Sequence, residues 1–298
     1  MHKFALSLLV TLFLAMPAGA AEKIQVVASF SILGDMASEI AGDKADIRVL
    51  VGPNGDAHSF EPTPADARKL SDSKLVLVNG LGLDGWMERL VAASGYTGPV
   101  VVASRRIEPR TMIEQGSANS ETVTDPHAWQ DLSNGVVYVS NIVDALAKAD
   151  PANAAEYRAR GERYIGKLQT LDADIRREIA KVPPAKRRVI TSHDAFGYFA
   201  GAYGVEFLAP EGISTESEPS ATDLARLIDQ IKREGIKTLF IENITDPRMI
   251  KMIAAETGAE IGGTLFSDAI SPPDGPAPHY VDMFANNVPK LVAAMLNN

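Results

Sequence analysis

Residues 151–184, PANAAEYRARGERYIGKLQTLDADIRREIAKVPP, divide the chain into two parts. Apolar side chains recur here at intervals of three, four and seven residues, from Tyr157 and Tyr164 to Ile179 and Val182. That spacing places them on one face of a helix, and the Pro-Pro pair at the end stops it. We therefore predict one amphipathic helix of unusual length in the middle of the chain.

Short apolar strands alternate with helical segments on both sides of this helix. IQVVASF (24–30) and KLVLVN (74–79) precede it, and RRVITS (187–192) and KTLFIEN (237–243) follow it. Continuous apolar strands separated by helices are typical of parallel sheets covered on both faces. The sequence predicts an α/β fold with two α/β lobes. The predicted units are a signal peptide at 1–20, an N-terminal lobe at 21–150, a linking helix at 151–184 and a C-terminal lobe at 185–298.

The first twenty residues have the pattern of a secretory signal peptide. A short basic start precedes FALSLLVTLFLAM (4–16), an apolar run that is short for a membrane span, and PAGA (17–20) resembles a signal peptidase site. We expect cleavage between Ala20 and Ala21; an N-terminal membrane anchor is the alternative. The chain has no Cys, so we expect no lipid anchor after the apolar run.

Composition excludes several classes of function. The chain has 29 Lys and Arg against 38 Asp and Glu, for a net charge of −9, and removing residues 1–20, whose one charged residue is Lys3, makes it −10. That balance disfavours nucleic acid, whose phosphates attract clustered basic residues. Without Cys, an exported chain has neither disulfides nor a thiolate metal site.

Three of the five histidines lie in loops at the predicted ends of strands. His58 lies in GPNGDAHSFEP (52–62), His127 lies in TDPHAWQD (124–131) before a helix, and His193 directly follows RRVITS. Ligands bind at the carboxyl ends of strands in open α/β sheets. Each histidine on its own is typical of a surface or hydrogen-bonded residue, but three such positions in a His-poor chain indicate a metal site.

Asp268, in GTLFSDAIS (263–271), is the fourth candidate, because it also follows a predicted strand. Successive members of the set are 66 to 75 positions apart, so they would converge from both halves of the chain. Three imidazoles and a carboxylate suit Zn²⁺, and less selectively Mn²⁺ or other first-row ions.

Other polar residues have weaker patterns. We interpret His279 as a helix-entry or surface residue. Asp125 and Asp194 can hold a ligand imidazole in place, whereas we expect most acidic residues near the loops to be solvated. Those are Glu61, Glu211, Glu216, Glu218 and Glu242.

A dinucleotide site is a competing interpretation. NGLGLDG (79–85) has GxGxxG spacing between a strand and a helix, and Arg105 and Arg106 follow at a distance that suits a 2′-phosphate. Its strand is not the first of its sheet, however, and no catalytic donor set accompanies it. We therefore favour a structural turn over an exported NADP-dependent oxidoreductase.

Several motifs together resemble the metal-binding solute-binding proteins of ABC importers, the zinc/manganese group called cluster A-I. They are HSFEPTPAD, TDPHAWQD, SHDAFGYFAGAYG, GISTESEPS, ENITDPR and LFSDAIS, in that order along the chain. NGLGLDGW also resembles a stretch of this family. The resemblance runs from about Val26 to the C-terminus and implies two α/β lobes joined by one long rigid helix, with the metal in the cleft between the lobes.

The resemblance implies that His58, His127, His193 and Asp268 are the ligands of one ion per chain. Histidine at the third position is commoner in zinc members, whereas glutamate there accompanies manganese. Many zinc members carry a His-rich loop between the first two ligands, but EQGSANSETVT (114–124) has no His. We expect Zn²⁺, with manganese or mixed-metal import as the alternative.

The expected protein is a periplasmic monomer that delivers metal to a membrane permease and is not an enzyme. A periplasmic metallochaperone is a second candidate partner. We expect the polar segment 109–124 to be flexible. Metal release requires a weakened site, and displacement of one lobe or of this segment are the two alternatives. A zinc hydrolase and an adhesin-like protein with a structural metal are the other classes in view; the first would need a general base, which the sequence does not indicate.

Overall fold

A computed structural model describes residues 23–113, 122–215 and 219–298. The predicted signal peptide and the acidic residues Glu216 and Glu218 lie outside the described residues. The middle of the segment 109–124 also lies outside them. In the part of the chain that is described, no helix is long and apolar enough to cross a membrane.

The first half of the chain alternates strands and helices, as the apolar runs predict. Its elements are β1 (Ile24–Phe30), α1 (Ser31–Ala41), β2 (Ala45–Val51), α2 (Pro64–Ser71), β3 (Leu75–Val78), α3 (Trp86–Ser94), β4 (Val100–Val102), β5 (Thr111–Ile113), β6 (Thr122–Thr124) and α4 (Leu132–Ala149).

The second half begins with the long helix and returns to the same alternation. Its elements are α5 (Ala154–Ala180), β7 (Arg188–Ile190), α6 (Gly197–Tyr203), β8 (Glu206–Leu208), α7 (Ala221–Glu234), β9 (Thr238–Glu242), α8 (Arg248–Thr257), β10 (Glu260–Leu265) and α9 (Tyr280–Asn297).

Two four-stranded parallel sheets form the framework, and they are wound in the same way. The strand orders are β2-β1-β3-β4 and β10-β9-β7-β8, so in each sheet the first strand lies between the second and the third. The winding direction therefore reverses between β1 and β3, and again between β7 and β9. Ligands bind outside such reversal points, at the carboxyl ends of the strands. The two α/β sheets with their helices confirm the predicted fold class.

The helix α5 forms where the apolar spacing predicts it. Its buried face includes Tyr157, Tyr164 and Leu168, and it packs against α1 and α4 of the first half and α9 of the second. Gly161 makes the approach to α4 possible, because a Cβ there would lie 2.3 Å from Val143 Cγ2. One helix thus contacts both sheet units. The division of the chain into lobes at 21–150 and 185–298, with a linking helix at 151–184, remains a prediction.

Two local features differ from the sequence analysis. The helix α2 was not predicted; it begins with a capping box in which Thr63 and Asp66 bond each other's backbone amides. The segment expected to be flexible carries the strands β5 and β6, which pair as an antiparallel ribbon. Its two ends are therefore ordered by backbone hydrogen bonds.

Candidate metal centre

The structure brings the four predicted ligand residues to one point. One ligand atom from each of His58, His127, His193 and Asp268 lies within 4.8 Å of every other. The last three residues are fully buried, and the His58 side chain is 6% exposed. We call these four residues the His3Asp cluster. They come from four separate loops in the two halves of the chain.

The ligand atoms surround one carboxylate oxygen. Asp268 Oδ2 lies 3.0 Å from His58 Nε2, 3.3 Å from His127 Nε2 and 3.2 Å from His193 Nε2. The Nε2 atoms of His58 and His127 are 3.2 Å apart. All three histidines thus present Nε2 to the cluster, which leaves each Nδ1 facing outward.

His58 is placed by a tight turn after β2. Gly55 N donates to Gly52 O at 3.0 Å, and Asn54 at the third position of the turn has a φ of +56°. Proline at the second position and a left-handed Asn at the third are the pattern of a type II turn. Trp86 Nε1 then donates to Ala57 O at 2.9 Å, so the residue before His58 is tied to the start of α3.

His127 is held by Asp125 and by the end of β3. Asp125 Oδ1 lies 2.8 Å from His127 Nδ1 and accepts from His127 N at 3.0 Å. Asn79, fully buried, donates from Nδ2 to Pro126 O at 3.0 Å, and its Oδ1 accepts from Tyr138. The predicted role of Asp125 agrees with this contact. His127 does follow a strand, β6, but this strand belongs to the two-stranded ribbon, so the expected place at the carboxyl end of a strand in an open α/β sheet is wrong.

His193 is held by a glutamate rather than by the neighbouring aspartate. Glu242, the last residue of β9, is 1% exposed and accepts from Ser192 N and His193 N at 2.9 Å each. Its other oxygen lies 2.7 Å from His193 Nδ1. The expectation of a solvated Glu242 is therefore wrong, and Glu242 has the position that we considered for Asp194. The signal available for its burial was its place at the end of an apolar strand, whereas its contact with His193 depends on β9 lying beside β7.

Asp268 follows β10 and is fixed by groups from the first half of the chain. Trp129 Nε1 and Gln130 Nε2 donate to Ser267 O at 2.9 and 2.8 Å. Asp268 Oδ1 is buried and has no hydrogen-bond partner among the described residues. A buried carboxylate oxygen without a donor costs free energy, and a cation bound to this carboxylate would offset part of that cost.

Without a metal ion, the charges around the His3Asp cluster favour protonated histidines. Burial disfavours a charged His127, but the carboxylates of Asp268 and Asp125 outweigh burial and raise the pKa of His127 to about 9. Burial likewise opposes charge on His193, yet Glu242 and Asp268 raise its pKa well above the ordinary value. Burial alone would raise the pKa of Asp268, but His127 and His193 hold it well below the usual range. A cation that binds here must displace protons.

The distances fit a small tetrahedral ion. Zn²⁺ with bonds of about 2.0 Å in a tetrahedron separates its ligand atoms by about 3.3 Å. The three distances from Asp268 Oδ2 to the histidine Nε2 atoms, and the distance between the Nε2 atoms of His58 and His127, run from 3.0 to 3.3 Å. Together with the orphaned Asp268 Oδ1, this arrangement can hold one divalent transition-metal ion.

The remaining candidates have structural positions. His279 is the N-cap residue of α9, as expected for helix entry, and its Nδ1 lies 2.7 Å from Asp35 Oδ1. Glu61 is exposed, and Glu211 pairs with His193 in an isolated β-bridge. Asp194 is partly buried close to the cluster, and burial raises its pKa.

The GxGxxG motif forms the structural turn that we favour. Asp84 accepts from the backbone amides of Asn79 and Gly80, at 2.6 and 3.1 Å. A pyrophosphate would need such amides, and here a side chain of the same loop occupies them. Arg106 donates to Asn141 on α4. The loop therefore positions Asn79, whose side chain donates to the carbonyl of Pro126, the residue before His127.

Comparison with known proteins agrees with the resemblance found in the motifs. The family model described as zinc-uptake complex component A, periplasmic, matches residues 26–294. The iron-binding protein YfeA of Yersinia pestis is 33% identical over 267 residues, which cover 90% of this chain and 85% of that protein. The manganese ABC transporter substrate-binding lipoprotein PsaA of Streptococcus mitis is 30% identical over 284 residues, with coverage of 93% and 91%.

A solved structure supports the same conclusion. The periplasmic zinc-binding protein TroA of Treponema pallidum superposes with a TM-score of 0.84 at 30% identity, covering 92% of this chain and 99% of that one. The chain belongs to the zinc-uptake component A family, whose members include metal-binding substrate-binding proteins of ABC transporters. Substrate-binding proteins of this kind work with a membrane permease and an ATPase.

Proposed function

We propose that this protein is the periplasmic binding component of an ABC importer for a divalent transition metal, with Zn²⁺ as its preferred substrate. The observation that carries the proposal is the convergence of three Nε2 atoms and one carboxylate oxygen in a nearly closed site. In this account His58, His127, His193 and Asp268 are the ligands of one ion per chain.

The donor set favours zinc over manganese. Three imidazole nitrogens and one oxygen are the ligands of tetrahedral zinc sites, whereas Mn²⁺ is commonly bound by six oxygen-rich ligands. Among first-row divalent ions, Mn²⁺ also binds a given site of nitrogen and oxygen ligands more weakly than Zn²⁺ does. His193 in particular adds a third nitrogen.

Manganese or mixed-metal import is the second candidate. The observation in its favour is that close relatives are named for manganese and iron. Selection in the cell also follows metal availability and not affinity alone, so a zinc-preferring site can serve another ion where zinc is scarce.

The contacts around the cluster suit binding rather than catalysis. Asp125 and Glu242 face the Nδ1 atoms of His127 and His193, which directs the metal-binding lone pair to Nε2. Four protein ligands complete a tetrahedral shell and leave no open position for a reactive water. We propose that residues 1–20 direct export and are removed, and that the mature monomer hands its metal to the permease, with a metallochaperone as a further partner.

Competition between Zn²⁺ and Mn²⁺ tests the proposal. The mature protein is stripped of metal and titrated with each ion against chelators of known affinity. We expect one tightly held Zn²⁺ per chain that a large excess of Mn²⁺ does not displace, and at least a tenfold loss of zinc affinity in His193→Ala. Equal retention of both ions would favour the mixed-metal alternative. If neither Zn²⁺ nor Mn²⁺ binds tightly, the importer function is refuted.

A further inference from the structure

The segment that carries His58 reaches across to the second half of the chain. We call residues 52–58 the His58 loop. Its Asn54 N donates to Ile270 O at 3.0 Å, and Asn54 Oδ1 accepts from Asn243 Nδ2 at 3.0 Å. Ile270 is two residues from Asp268, and Asn243 directly follows Glu242. The loop is therefore bonded to the same segments of the second half that hold the cluster.

Asp56 makes the strongest of these crossing contacts. Its Oδ2 accepts from Thr215 Oγ1 at 2.6 Å, a hydrogen bond between residues 159 positions apart in the chain. The same carboxylate accepts from His58 N at 2.8 Å through Oδ1 and from Ser59 Oγ at 2.7 Å through Oδ2. One side chain thus connects the backbone of a ligand residue to a hydroxyl of the opposite half. Hydrogen bonds to a carboxylate are stronger than neutral ones.

His58 is also the member of the cluster that faces solvent. Its side chain is 6% exposed, whereas those of His127, His193 and Asp268 are fully buried. The peptide that follows His127 is fixed deep in the protein, because Trp129 Nε1 bonds Ser267 O with both groups buried. The bonds that Asp56 makes to His58 N and to Thr215 are only partly buried, although the bond from Trp86 to Ala57 O is buried. A metal ion therefore has its shortest way out past His58.

We propose that Asp56 and Thr215 are positioning residues that latch the His58 loop over the bound metal and set the rate at which the metal leaves. The inference rests on the proposed metal-binding function. The Asp56–Thr215 bond does not touch the ion, so the pair acts through the placement of His58. Outside the His3Asp cluster, breaking the bond removes the contact nearest to His58 that crosses to the second half, so the loop can move more readily with its imidazole while the other three ligands stay fixed. The Asn54 contacts and the bond from Trp86 to Ala57 O remain.

Release of Zn²⁺ into an excess of fluorescent chelator measures the latch directly. Thr215→Val keeps the shape of the side chain and removes only the hydroxyl, and Thr215→Ser restores a hydroxyl. Thr170→Val is the matched control, because the Thr170 hydroxyl bonds Gly166 O within α5. We expect zinc release from Thr215→Val to be roughly three- to tenfold faster than from the wild type. Release from Thr215→Ser and Thr170→Val should match the wild type.

The outcomes separate the latch from the function on which it rests. A wild-type protein that retains no Zn²⁺ refutes the metal-binding function itself. A wild type that binds Zn²⁺, together with a Thr215→Val variant that releases it at the wild-type rate, refutes the latch alone. Without metal, the thermal unfolding temperature of Thr215→Val should fall by no more than a few degrees, as the loss of one hydrogen bond implies. Faster release accompanied by a large loss of stability, or by equally fast release from Thr215→Ser, would assign Thr215 a general structural role and overturn the latch.

Discussion

Replacing Glu242 with Gln should weaken zinc binding without a change of fold. The carboxylate accepts from Ser192 N and His193 N at 2.9 Å through Oε1, and its Oε2 lies 2.7 Å from His193 Nδ1 in an ion-pair contact. A glutamine of the same shape offers one acceptor and one NH₂ donor. If its oxygen keeps the two backbone amides, the NH₂ group faces Nδ1.

That arrangement favours the wrong tautomer of His193. An NH₂ group facing Nδ1 requires a lone pair there, so the neutral imidazole carries its proton on Nε2. Nε2 is the atom that lies 3.2 Å from Asp268 Oδ2 and that would bind the metal. Loss of such an outer contact typically lowers metal affinity about 10- to 100-fold, which corresponds to about 1.4–2.7 kcal/mol.

Chelator competition with Zn²⁺ at pH 7 measures the effect. Glu260→Gln is the matched control. It removes the same charge, but Glu260 is exposed at the start of β10. We expect the control to bind like the wild type. If Glu242→Gln binds Zn²⁺ within twofold of the wild type while both unfold alike, the assignment of Glu242 to the orientation of His193 is refuted.

Three further predictions concern protons and packing. Because the pKa values of His127 and His193 are both raised and the metal binds the neutral imidazoles, zinc affinity should rise by at least about tenfold per pH unit from pH 6 to 8; affinity independent of pH would contradict this. Trp129→Phe removes the bond to Ser267 O and leaves a void, so urea unfolding should show a loss of about 2–3 kcal/mol. The hydrogen bond with Asp35 raises the pKa of His279, so that pair stabilises the fold below about pH 6.5 and the effect is lost as pH rises through the raised value. His279→Gln should therefore cost about 0.5–1 kcal/mol at pH 6, a small value because the ring is half-exposed, and less at pH 9; an equal cost at both would show that the ion pair is not the cause.

The sequence was most informative where a signal is local. The long helix follows from apolar spacing between Tyr157 and Val182, and the end of α7 follows from Gly235, which adopts a left-handed conformation. The three candidate histidines were found because each follows a strand or a tight loop motif. Asp125 was found because it lies two residues from His127.

Contacts between distant segments could not be predicted in the same way. Glu242 contacts His193 because β9 lies beside β7, and no pattern in either strand reveals that neighbour. The partner of Asp56 is Thr215, a residue in a loop of the other half. The helix α2 was missed because Leu70 is its one fully buried apolar side chain, although the Thr63–Asp66 capping box was present in the sequence.

The choice of metal lies beyond both the motifs and the fold. A third histidine favours zinc through its nitrogen, yet relatives with a similar fold are named for zinc, manganese and iron. The difference depends on the energies of metal–ligand bonds and on metal supply. Neither quantity is encoded in the spacing of residues.

Anomalous diffraction at the zinc absorption edge from crystals of the zinc-loaded protein tests the central claim most directly. The account predicts one strong peak, about 2.0 Å from Nε2 of His58, His127 and His193 and from a carboxylate oxygen of Asp268. A peak at another place, or a zinc ion that leaves one of these four side chains unbound, would contradict it.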